Sequence, residues 1–106
     1  ARECFDELTH CRVRPRHLAS DHRGVAEAVR CGWADAGVCV RLACDEAQLR
    51  FLEVREEMYD LCFPARYERD PRLRSLVTLM RSAEYRRMIG ALPGYAAAET
   101  GELQAV

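Results

Sequence analysis

The sequence predicts an α/β fold: a small mixed sheet of about three to four strands flanked by helices. Two patterns predict it. Between Ala36 and Phe63, short apolar runs alternate with a helical segment, giving strand–helix–strand order and at least some parallel pairing. On either side of that stretch, apolar residues recur three and four positions apart, the spacing of a helix with one buried face. The 106 residues suffice for one small domain, and 49% hydrophobic with 31% charged residues place the chain outside the disordered class.

Taken in order, residues 2–10 carry Phe5 and Leu8 on one helical face, with the helix ending before Pro15. The next helix is better marked. Ser20 or Asp21 caps it, Val25, Ala26, Ala28 and Val29 form its apolar stripe, and Gly32 supplies a left-handed exit, with Trp33 packing nearby. The run 36–40 is a buried strand, and residues 41–48 a short helix with Leu42, Ala43 and Ala47 inward. Residues 50–54 and 58–63 are two further strands, the second stopping at Pro64. Asp70 caps and Pro71 opens a helix carrying Leu73, Leu76, Val77 and Met80. Ser82 caps another, with Tyr85, Met88, Ile89 and Leu92 inward, and Pro93-Gly94 ends it. Residues 95–106 read as a loop with a short terminal strand.

Charge narrows the function. The 16 basic residues are all arginine and face 17 acidic ones, a net charge of -1 that lacks the basic excess of a nucleic-acid binder. Arg12, Arg14, Arg16 and His17 form one basic cluster. Arg66, Arg69, Arg72 and Arg74 form another, interrupted by Glu68 and Asp70 as on a solvated surface. No apolar run reaches the roughly 18 residues of a membrane helix, and no signal peptide is seen. Because Ala1 stands where a start methionine would, the expectation is a processed or excised piece.

Six cysteines lie at irregular spacings without a Cys-x-x-Cys, several of them in apolar runs such as 38–40 and 61–63. That favours buried or semi-buried thiols over a disulfide framework, and hence a cytoplasmic setting. A zinc site would draw on Cys4, His10, Cys11 and His17, but the paired ligand spacing of a knuckle is missing. No third group orients a Cys/His pair such as His10–Cys11 or His22–Cys31. On a strand, Glu56 and Glu57 face opposite sides. The expectation is a protein that is not an enzyme and needs no cofactor.

Three stretches together resemble a known family. Residues 20–38, with Trp33-Ala34-Asp35-Ala36-Gly37-Val38 leading from a helix towards a strand, are similar to a block of periplasmic-binding-protein-like domains of type II. Glu57-Met58-Tyr59-Asp60-Leu61 resembles the Tyr-containing strand that follows there. Leu92-Pro93-Gly94-Tyr95 with Thr100-Gly101-Glu102 is similar to the closing signature of the branch related to molybdate-binding proteins, found attached to helix-turn-helix regulators. The resemblance implies that residues 1–63 are the second lobe of a two-lobed domain and 64–106 its C-terminal helices, returning towards a first lobe that is mostly absent.

It further implies an interlobe cleft for a small anion, a molybdate- or tungstate-like oxyanion or a carboxylate, lined by Arg2, Ser20, Asp21, His22, Cys39 and Tyr59. The helix start at His22 offers free backbone N–H groups to such a ligand, but Asp21 sets a carboxylate beside it and reads equally as a plain N-cap. The expected role is effector sensing in a bacterial transcriptional regulator, with DNA bound only by a separate domain. The rivals are an interaction module that forms a homodimer through the apolar faces of residues 73–92, and the solute-binding protein of a molybdate-type transporter.

Overall fold

The computed structural model describes residues 1–104 and divides the chain into two compact units, Ala1–Glu57 and Met58–Val106. The first unit holds α1 (Arg2–Leu8), α2 (His22–Arg30) and α3 (Arg41–Glu46). The second holds a single 3₁₀ turn (Ala65–Tyr67), α4 (Pro71–Arg81) and α5 (Ala83–Gly90). Among the described residues no helix is long and apolar enough to cross a membrane.

The helices begin where their caps stand. Asp21 Oδ1 accepts from the Gly24 N–H at 2.7 Å and opens α2, supplying an acceptor that costs about 1 kcal/mol to remove. Asp70 Oδ1 accepts from the Arg72 N–H at 2.9 Å, and Pro71 follows at the first helical position. Ser82 both ends α4 and caps α5, its Oγ accepting from the Tyr85 N–H at 3.2 Å. Beyond α2, Gly32 takes φ +74°, the left-handed exit that the sequence predicts.

The mixed sheet is not there. Residues 36–40, 50–54 and 58–63 carry no regular secondary structure, and no strand or bridge occurs among the described residues, so the α/β expectation gives way to an all-helical description. The runs have strand-like composition, but a strand exists only as one side of a hydrogen-bonded ladder, and composition does not provide the other side. Residues 50–62 are exposed throughout, with Leu52 at 85%. One tether holds part of this stretch: Arg55 Nη1 donates to Glu7 of α1 at 3.0 and 3.2 Å. The terminal strand is also missing. Residues 95–104 are turns and coil, and the end of that expectation, 105–106, lies outside the described residues.

Burial is confined to small side chains. Cys4, Ala26, Ala43 and Cys44, all in the first unit, are the buried apolar residues. Ala26 and Ala43 lie where α2 and α3 pack, their methyl groups allowing the two short helices to approach closely. Gly37 lies close against α2, since a Cβ there would collide with Cγ1 of Val25. Trp33 does not pack as expected. Its N–H donates to the Ala28 carbonyl at 2.8 Å, closing the end of α2, but its side chain is 76% exposed.

In the second unit α4 packs on α5, with Leu73, Val77, Met80, Tyr85 and Ile89 half-buried. Leu76, Leu79, Met88 and Leu92 remain exposed, so the inward face of α5 is narrower than its spacing predicts. The turn after α5 is fastened back by arginines: Arg81 Nε donates to the Gly101 carbonyl and Arg86 Nη2 to that of Thr100, each at 2.8 Å.

Candidate functional site

Two places along α2 carry chemistry. One is the start of α2, where exposed Ser20 and Asp21 precede half-buried His22. The Asp21 carboxylate already engages one of the donors an incoming anion would use, because it accepts from Gly24 N–H. The positive end of the helix is thus partly neutralised by the chain's own cap.

The other is an open depression of about 400 Å³ between α2 and α3. Ala26, Ala43 and Ala47 contribute its apolar part and Arg23, Glu27, Arg30 and Glu46 its charged part. The charges are matched as two forked pairs. Arg23 spans the helices, its Nε donating to Glu46 Oε2 at 2.7 Å and its Nη2 to Oε1 at 2.9 Å. Arg30 turns back along α2 and donates from Nε to Glu27 Oε2 at 2.8 Å. The Cys31 thiol donates to the same carboxylate at 3.2 Å. Planar guanidinium forks fit carboxylates in this way and fix their orientation. Two positive and two negative groups leave the depression without a net attraction for anions.

Titration follows these contacts. Hydrogen bonds from Arg30, and then from Cys31, hold Glu27 down at about 2 against an ordinary 4.5. The Arg23 fork lowers Glu46 likewise, while the hydrogen bond to Glu27 raises the Cys31 thiol. A depressed carboxylate pKa stabilises the fold above the unfolded value, and that contribution disappears as pH falls through the folded one. Wild-type helicity, followed by far-UV circular dichroism, is therefore expected to fall between pH 4.5 and about 2. Glu27→Gln is expected to be less stable at neutral pH, with the difference from wild type closing across that window. A constant difference down to pH 2 would contradict the pairing.

The remaining residues predicted to line a cleft have other engagements. Arg2 Nε donates to Asp6 Oδ2 at 3.1 Å, one turn along α1. The Cys39 thiol lies 3.2 Å from that of Cys44, and burial, then Cys44, pushes it up to about 12. Tyr59 belongs to the second compact unit, outside any regular element, with 70% of its surface exposed. Ser20, Asp21 and His22 are the only three of the six that chain continuity places side by side.

The sequence reading missed the α2–α3 depression, although its signal was present. Arg23, Glu27 and Arg30 recur at helical spacing beside Ala26, and Glu46 closes the helix that carries Ala43. The cysteines divide unevenly. All six are free, Cys4 and Cys44 are buried and Cys39 half-buried, but Cys11, Cys31 and Cys62 are exposed. Cys62 is exposed because the run around it is not a paired strand.

Comparison with curated proteins and with solved structures gave no match in either case. A family model described as a PBP superfamily domain matches residues 2–81, which include the whole of the first compact unit from α1 onwards. That match covers more than half of the chain, and the protein belongs to the PBP superfamily.

Proposed function

We propose that this chain is part of the ligand-binding domain of a bacterial transcriptional regulator, in which a small anion or carboxylate acts as effector. The observation that carries the reading is the family match over residues 2–81. Support for the regulator branch comes from the Leu92-Pro93-Gly94-Tyr95 and Thr100-Gly101-Glu102 signature, beyond the matched residues. Ser20, His22 and the first N–H groups of α2 are the groups through which such a ligand would be held, beside Asp21. A carboxylate at that position favours a ligand that brings its own hydrogen-bond donor over a bare oxyanion. Regulation would require the ligand to bind one state of the regulator more tightly than another.

Calorimetric titration of the full-length protein with molybdate, tungstate, sulfate and a panel of small hydroxy- and amino-carboxylates tests this. Binding of one member, weakened at least tenfold by His22→Ala, is the expected result. Silence across the whole panel overturns the reading.

A second reading is favoured by one observation. Leu76, Leu79 and Met88 are exposed on α4 and α5, two helices that pack on each other. Their exposure supports self-association through residues 73–92. Light scattering is expected to give twice the monomer mass, and Leu79→Glu to return it to the monomer. A monomer at high concentration removes this second reading.

A further inference from the structure

Cys39 lies one residue before the N-cap of α3, and Cys44 stands within that helix, facing inward at 7% exposure. Their Sγ atoms are 3.2 Å apart, one thiol donating to the other. A disulfide bond is about 2.05 Å long, so roughly 1 Å of approach separates the dithiol from the bonded form. The residues between them are already folded into the turn that a bridge would close. The N–H groups of Ala43 and Cys44 both donate to the Val40 carbonyl, at 3.1 and 3.4 Å. Little chain entropy remains to be lost on closing so short a loop. Cys39, half-buried, is the more accessible of the two, and Cys44 lies behind it.

We propose that Cys39 and Cys44 form a reversible dithiol–disulfide couple that exchanges with low-molecular-weight thiols and disulfides. With glutathione disulfide as oxidant, the Cys39 thiolate attacks one glutathione sulfur and the other glutathione leaves as thiolate. Cys44, deprotonated in turn, attacks the Cys39 sulfur of the mixed disulfide and expels the second glutathione. Two protein thiols are oxidised, one glutathione disulfide is reduced to two glutathiones, and the two protons pass to the departing thiolates. The product joins the chain just before α3 covalently to the inner face of that helix. Burial raises the Cys39 thiol, which keeps its thiolate scarce at neutral pH, so the exchange is slow and is followed over hours.

The test uses the full chain incubated in glutathione disulfide, quenched with acid, alkylated and digested with trypsin. Cleavage after Arg41 separates the peptide 31–41, with Cys31 and Cys39, from the peptide 42–50, with Cys44. The expected product is a disulfide-linked pair of these peptides that dithiothreitol dissolves. It persists in Cys31→Ser and is lost in Cys39→Ser. Because the linked pair is scored in the wild-type chain and in an exposed-site variant, the result does not depend on a buried substitution folding. Glutathione adducts at Cys39 or Cys44 without a linked pair overturn the proposal. So does a linked pair that disappears in Cys31→Ser, which makes Cys31 the true partner.

Discussion

Replacing Ala26 by leucine is expected to pull α2 and α3 apart and to destabilise the first unit by about 2 kcal/mol. Ala26 is 2% exposed and meets a neighbouring helix whose own contact residue, Ala43, is just as enclosed. Three extra carbons at such a contact must either displace α3 or leave their preferred rotamer. Separation would also stretch the fork from Arg23 to Glu46, which depends on the distance between the two helices. Urea denaturation monitored by circular dichroism is expected to show a lower midpoint. Ala26→Ser, nearly the same size, is expected to change it by less than half as much. An unchanged midpoint in Ala26→Leu would show that the new side chain turns into the open depression and that the contact is not close-packed.

The second large effect is expected at Gly101, where valine should cost about 2–3 kcal/mol. Its φ is +84°, a region that β-branched residues avoid, and space is lacking as well. A Cβ at this position would lie 2.8 Å from Cγ of Arg81 and 3.2 Å from the Arg81 backbone nitrogen. The side-chain atom can move aside, but the helix backbone cannot. The same turn presents the Gly101 and Thr100 carbonyls to Arg81 and Arg86, so displacing it breaks both hydrogen bonds. Gly32→Ala separates the two causes: φ is +74° there but nothing lies within 4 Å of a new Cβ. That substitution is expected to cost about 1 kcal/mol, from backbone strain alone. Equal losses at the two positions would mean that crowding against α4 contributes nothing.

These positions show what kinds of feature are legible in a sequence. Asp21, Asp70-Pro71 and Ser82 mark helix starts because a cap acts on donors two or three residues away. Gly32 marks a helix end by an equally local rule. The helices they bound lie within two residues of the expected limits. The runs at 36–40, 50–54 and 58–63 fail for the opposite reason. Nothing within a window of six residues tells whether a distant partner will supply the other half of a ladder. The candidate site divides along the same line. Asp21 is legible as a cap and Arg2 with Asp6 as a pair four residues apart on one helix, whereas the engagement of Cys39 with Cys44 depends on where folded side chains come to rest. Of the two pairs in the depression, Arg23 with Glu46 joins residues far apart in the chain, and Arg30 with Glu27, three residues apart on one helix, is the one readable directly.

The unpaired chain between Arg50 and Phe63 has a consequence for measurement. An amide is slow to exchange its hydrogen for deuterium while an acceptor holds it or burial shields it, and these amides have no ladder and lie on exposed residues. The stretch is therefore expected to label within the first time point, while Val25–Arg30 and Ser75–Arg81 label late. It then serves as an internal reporter. Anything that supplies this stretch with a pairing edge, whether another segment, another copy or a bound partner, will appear as delayed labelling at Phe51–Val54 or Met58–Phe63 before any other signal changes.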